Sequence, residues 1–161
     1  MRGEEAKIIA IYYAAIPDML KEFRRQKSDI EDEYYNGIRG INMDGMPHGS
    51  NPGRPTELFG VAAAENDAGR RLAEIETRIR VLERDRELIG DSIDALNGKY
   101  KKLLSLRYQH DYSWTKISFR MGKPDSTVRN WHDRALERLG GAPGDGPMGG
   151  EILLRASRAR K

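Results

Sequence analysis

The chain has no cysteine, few aromatic residues (7%) and no apolar run long enough to span a bilayer. Without cysteine there are no disulfides, thiolate nucleophiles or cysteine-ligated zinc sites, and the composition suits a reducing cytosol. The scarcity of aromatics, set against one third charged residues, favours long solvated helices over a compact sandwich or barrel. Histidine is scarce too. His48, His110 and His132 are dispersed, and no HExxH or comparable spacing occurs, so neither a metal nor another cofactor is expected. Acid pairs such as Glu31 and Asp32 sit in charged helical runs and read as solvated surface, which removes the remaining argument for an enzyme. The opening MRGEEAKIIAIYYAAIPDML lacks the charge–apolar–small order of a signal peptide. The expectation is therefore a soluble, cytoplasmic protein with no membrane partner.

What the sequence does have is an uneven charge distribution. The net charge is +3, yet residues 97–140 hold ten Lys/Arg against four Asp/Glu, while residues 1–96 are net acidic. A basic carboxyl third on an acidic remainder is the asymmetry expected when one domain meets a polyanion. A solvated basic face would look the same from charge alone, so the placement of the charges has to decide.

Apolar residues recur at helical spacing from residue 4 to 36, through Ile8, Ile9, Tyr12, Ile16, Leu20 and Phe23, with Pro17 expected to kink the helix or begin a new one. Residues 37–57 are rich in glycine and proline and read as a connector; they lack the GxxxxGK[ST] pattern of a phosphate-binding loop. Residues 58–96 carry a heptad seam: Leu72, Ile75, Ile79, Leu82, Ile89, Ile93 and Leu96, broken only at Arg86. A helix from Glu65 to Leu96 would be a rod about 48 Å long. Its seam needs cover, either from the amino-terminal helix as an antiparallel hairpin or from a second subunit in a homodimer or higher oligomer. Residues 141–161 read as a flexible, glycine-rich basic tail whose end, EILLRASRARK, is either a short basic amphipathic helix or a disordered arm, with the frayed terminus preferred. The fold class expected is all-α: a long helical hairpin or coiled-coil segment, then a helical domain over residues 97–140.

That domain contains YSWTKISFRMGKPDSTVRNWHDRALERL. Ser113 suits an N-cap, Gly122 suits a left-handed stop, and Pro124 suits the first position of the next helix. Two helices joined by so short a turn cross steeply, as in a helix-turn-helix, with small Ser118 at their closest approach. Tyr100, Leu103, Leu104, Leu106 and Tyr108 supply a third helix, and Ile117, Met121, Val128, Trp131, Ala135 and Leu139 point inward. The second helix, 125–139, then presents Asp125, Ser126, Thr127, Arg129, Asn130, Asp133 and Arg134 to base edges in a major groove. Ser113, Lys116, Arg120 and Lys123 fall where the first helix and turn would meet phosphates. The two aspartates repel phosphate, so they fit as caps, as cytosine acceptors or as partners of Arg129 and Arg134.

These residues closely resemble the fourth region of bacterial sigma-70 factors, the helix-turn-helix that recognises the −35 promoter element. Ser118, Gly122, Ser126-Thr127-Val128-Arg129 and Ala135-Leu136 with Leu139 stand where the family's pattern places them, without gaps. Lys123 and Pro124 depart from the usual apolar turn residue and Ser/Thr cap. No segment for melting the −10 element is visible. The layout of helix, Met46-Pro47-His48-Gly49-Ser50 connector, long helix and region-4-like end resembles phage-encoded late-gene regulators of the ArpU/RinA kind, over roughly residues 30–140. The resemblance implies transcriptional regulation in a phage or prophage, with double-stranded DNA as partner and bacterial RNA polymerase as a further one. The competing expectation is a small terminase subunit that binds packaging-site DNA as a ring. Those usually carry the DNA module first, whereas here it follows the heptad helix.

Overall fold

The computed structural model describes residues 3–39, 55–141 and 147–159. They are helical throughout apart from short turns, with no strand among them. The helices are α1 (Gly3–Arg39), α2 (Pro55–Asp94), α3 (Gly98–Leu104), α4 (Trp114–Met121), α5 (Asp125–Gly141) and α6 (Pro147–Ala159). A single π-helical turn, Ser105–Gln109, extends α3. Helix α1 runs through Pro17 without a new start, and α1 and α2 each overrun the expected connector boundary by up to three residues. The Met46–Ser50 stretch and most of the connector lie outside the described residues. The chain forms two compact units, residues 18–81 and the combination of 1–17 with 82–161. These cut across the linear segments expected from the sequence.

In the unit of residues 18–81, α1 and α2 pair antiparallel. Lys27 bonds Glu76 at 2.8 Å, Arg71 lies 3.6 Å from Glu33, and the Arg78 guanidinium sits 5.8 Å over the Phe23 ring. Leu20, Ile30 and Ile75 are buried within the single chain, so the seam has an intramolecular partner at Ile75. The ion pairs at the edges are exposed and contribute at most about 1 kcal/mol each; apolar burial holds this pair together.

In the other unit, Leu82 and Ile89 are buried as the heptad pattern requires. The polar residue between them differs from expectation. Arg86 is exposed, and Asp85 is the inward residue, with 1% exposure. Steps of three and then four carry the buried face from Leu82 through Asp85 to Ile89, which is as helical as the route through 86. The Tyr12 hydroxyl donates to Asp85 Oδ2 at 2.9 Å, and Arg155 donates through Nε (2.8 Å to Oδ2) and a terminal nitrogen (2.7 Å to Oδ1). Burial and the adjacent carboxylate push the Tyr12 phenol up, and Asp85 pushes the Arg155 guanidinium up, so both stay protonated donors.

Arg155 belongs to α6, inside the segment expected to be a flexible tail. Instead Ile152 and Ala156 are buried on the same face as Arg155, and α6 is docked. The small-residue spacer ahead of it overlaps residues 142–146, outside the described residues. Breaking a buried pair by removing one partner costs about 3–5 kcal/mol, because the other charge is stranded. Arg155→Ala should destabilise this unit by that amount in denaturant unfolding. The triple change Tyr12→Phe, Asp85→Leu, Arg155→Met should recover most of the loss. Equal instability of both variants would show that the side chains' packing matters here and not their charge.

Candidate nucleic-acid interface

Local signals set the geometry of the second crossing pair. The Ser113 hydroxyl accepts from the Lys116 N–H at 3.4 Å and caps α4. Gly122 ends α4 at φ 60°, ψ 37°, a left-handed conformation that costs an L-residue roughly 1–2 kcal/mol. Ser118 closes the turn from both sides. Its carbonyl accepts from the Lys123 N–H (3.2 Å), and its hydroxyl donates to the Lys123 carbonyl (2.6 Å). The Pro124 carbonyl accepts the first intrahelical bond of α5, from the Val128 N–H at 3.1 Å. Pro124 is thus the N-cap residue and not the first helical one, and α5 starts at Asp125.

Two clusters hold this arrangement. Leu103, Leu106, Ile117 and Val128 form one, packed by Tyr112, Trp114, Met121 and Trp131. Tyr100, Leu104, Ala135, Leu136 and Leu139 form the other with Ala6 and Ala10 of α1, and Ile93, Leu96, Tyr108 and Trp131 pack against it. Trp131 belongs to both. Fully burying a side chain such as Ile117 or Leu139 stabilises by about 1.5–3 kcal/mol.

Opposite these clusters, α5 exposes Ser126, Arg129, Asn130, Asp133 and Arg134, while Asp125 and Thr127 are half-buried. Arg129 Nε donates to Asp125 Oδ2 at 2.8 Å, one turn back, and its guanidinium lies 5.1 Å over the Trp114 ring. The second Asp125 oxygen is enclosed and has no hydrogen-bond partner. Asp133 meets His132 Nδ1 at 3.1 Å, so its partner is the neighbouring imidazole and not Arg134. Of the residues expected to meet phosphate, Lys116 and Arg120 are exposed on α4 and sit over the Tyr112 ring, at 3.7 and 5.2 Å. Lys123 is exposed in the turn.

Sequence reasoning missed the support beneath α5. Arg107 lies 4.8 Å over Trp114, and its side chain bonds the Tyr112 carbonyl at 2.9 Å. Tyr108 and His132 are joined at 2.9 Å, and the His132 ring meets the edge of Trp114 at 5.0 Å. The π-helical turn, closed by the His110 N–H on the Ser105 carbonyl, brings Arg107 and Tyr108 to these partners. No sequence spacing announces a contact between positions 24 residues apart. Since a carboxylate only accepts, His132 Nδ1 carries the proton and Nε2 accepts from the Tyr108 hydroxyl. Burial pushes that phenol up to about 12 and keeps it a donor.

Residues 86–139 match the family described as Sigma-70, region 4. The matched third of the chain begins in α2, just after Asp85, and ends at the last buried leucine of α5. It supports a DNA-binding helix-turn-helix of regulatory type in the carboxyl-terminal part of the chain. Neither the curated proteins nor the solved structures include a match. Among the described residues no helix is long and apolar enough to cross a membrane, and no group of His, Asp and Glu is placed to hold a metal ion.

Burial lowers the pKa of His132, against the opposing pull of Asp133; Arg107 and Lys7 lower it further. An unfolded histidine titrates near about 6.5. Below that pH the unfolded chain takes up the proton first, so His132 stabilises the fold fully above about pH 6.5 and loses its contribution as pH falls through the lowered value. Unfolding followed between about pH 5 and 8 should show this slope, and His132→Gln should flatten it. An unchanged slope in the variant would assign the effect to another group.

Proposed function

We propose that this protein is a sequence-specific, double-stranded-DNA-binding transcriptional regulator of a phage or prophage, an activator of late genes that reads the major groove with α5. The observation that carries this reading is the division of α5 itself. Val128, Ala135, Leu136 and Leu139 are buried, and Ser126, Arg129, Asn130 and Arg134 are presented on the opposite side beyond a glycine-stopped turn. Arg129 has the donors for guanine, Asn130 suits adenine, and Ser126 and Thr127 suit phosphate or either base. Ser113, Lys116, Arg120 and Lys123 serve the backbone. The region-4 match adds bacterial RNA polymerase as a second partner under this reading. A packaging subunit would use the heptad seam to build a ring. Ile75, Leu82 and Ile89 are buried within one chain, which favours a hairpin over a ring.

Sequencing the duplexes retained by the purified full chain from a random pool tests the reading; an enriched motif is expected, and retention without enrichment counts against it. On the enriched site, Arg129→Ala should cost about 1–3 kcal/mol and relax one base preference. Equal losses on cognate and random duplex would remove Arg129 from base reading. Lys116→Ala should weaken binding to all sequences and reduce the salt slope by about one unit. A native mass of eight or more chains would instead favour packaging.

A further inference from the structure

We infer that Asp125 and Trp114 are positioning residues that hold Arg129 for end-on recognition of a guanine, and that Asp125 itself contacts no base. The inference rests on the proposed role of α5 and assigns two of its residues different tasks.

An unrestrained arginine approaches guanine O6 and N7 in several ways, through its two terminal nitrogens or through Nε and one of them. Here the choice is made before DNA arrives. Nε is occupied by Asp125 Oδ2 at 2.8 Å, and the flat face of the guanidinium lies over the Trp114 ring. Among the described residues the terminal nitrogens of Arg129 have no bond within the chain, and the side chain remains 55% exposed. The end-on pair of donors is therefore the one left to present. Fixing the head in this way removes rotamer freedom that would otherwise be lost on binding.

Asp125 is unsuited to read a base directly. One carboxylate oxygen is taken by Arg129, and the other is shut away from solvent with no partner. That enclosed oxygen is a cost to the fold, and an exposed ion pair one turn apart returns little stability. The arrangement makes sense for aiming Arg129. Trp114 is itself fixed, packed against the cluster of Leu103, Leu106, Ile117 and Val128 and contacted by Arg107, so the platform cannot rotate away.

The test compares base preference with general affinity in the full-length protein. Duplexes carrying each base pair in turn at the position relaxed by Arg129→Ala are titrated against the parent, Asp125→Ala, Asp125→Asn and the double variant Asp125→Ala/Arg129→Ala. Asp125→Ala should reduce the guanine preference about tenfold, leave binding to random duplex equal or tighter, and have no further effect once Arg129 is alanine. Asp125→Asn keeps an uncharged acceptor at the helix start and should fall between the parent and Asp125→Ala. In the DNA-free protein, the Arg129 Nε–H resonance should be protected from exchange and should lose that protection in Asp125→Ala. If Arg129→Ala relaxes the site while Asp125→Ala does not, the positioning role is wrong and α5 remains the reader. If Asp125→Ala alters a different base pair in both backgrounds, Asp125 is a direct contact. If Arg129→Ala changes no preference at all, the base-reading role of Arg129 fails, and the positioning role with it.

Discussion

A carboxylate with 1% exposure sits in the last third of the longest described helix, and the fold has to satisfy it. Asp85 draws on three parts of the chain at once: its own helix, Tyr12 from α1 and Arg155 from α6, 73 and 70 residues away in sequence. An ionised aspartate only accepts, and two oxygens receiving three donated bonds leave it well satisfied. Replacing such a site with apolar side chains is often neutral or stabilising, so specification of the fold is the better explanation for it than strength. An alternative registry of α1 or α6 would leave a charge buried without a partner. The next residue begins the region-4 match, and Ile93, further along the same helix, and Leu96, just past its end, pack on the cluster that holds α3 and α5. Ala6 and Ala10 of α1 complete that cluster. The helix-turn-helix is thereby built into the unit, with α1 covering part of its core.

The parts of this arrangement that were legible in advance depend on neighbours in sequence. Ser113 and Gly122 define a cap and a left-handed stop within ten residues, with small Ser118 between them, so the turn from α4 to α5 follows from local rules, while the bond of the Ser118 hydroxyl to the Lys123 carbonyl emerged only in the structure. The buried face of α5 follows from period alone. Asp85 was not legible, because strict heptad alternation points to Arg86, the helical period also admits position 85, and only distant partners decide between them. For α6 the sequence admitted either a short amphipathic helix or a disordered arm, because so short a segment is not helical by propensity, and the docking of Ile152, Ala156 and Arg155 decides for the helix. The Tyr108–His132–Asp133 chain and the arginines on Trp114 are likewise products of tertiary placement. Sequence reasoning identified Ser126, Arg129, Asn130, Asp133 and Arg134 as outward, counted half-buried Asp125 and Thr127 with them, admitted an aspartate as the partner of Arg129, and did not identify the aromatic support beneath.

The charge of this module also divides by element. Helix α5 carries Arg129, Arg134 and Arg138 against Asp125, Asp133 and Glu137 and is neutral. From Gly98 to Lys123 there are seven lysines and arginines and a single acid, Asp111. Within residues 97–140, attraction to a polyanion therefore comes from α3, α4 and the turn, and under the proposed reading this module's salt-dependent DNA affinity belongs to them. Under the proposed reading, neutral α5 adds little to binding at a random sequence, so the preference it would express is not swamped by indiscriminate attraction. On this view the acids of α5 keep general affinity low on the helix that discriminates. The donors of Arg129 and Asn130 then count only where the bases opposite them accept.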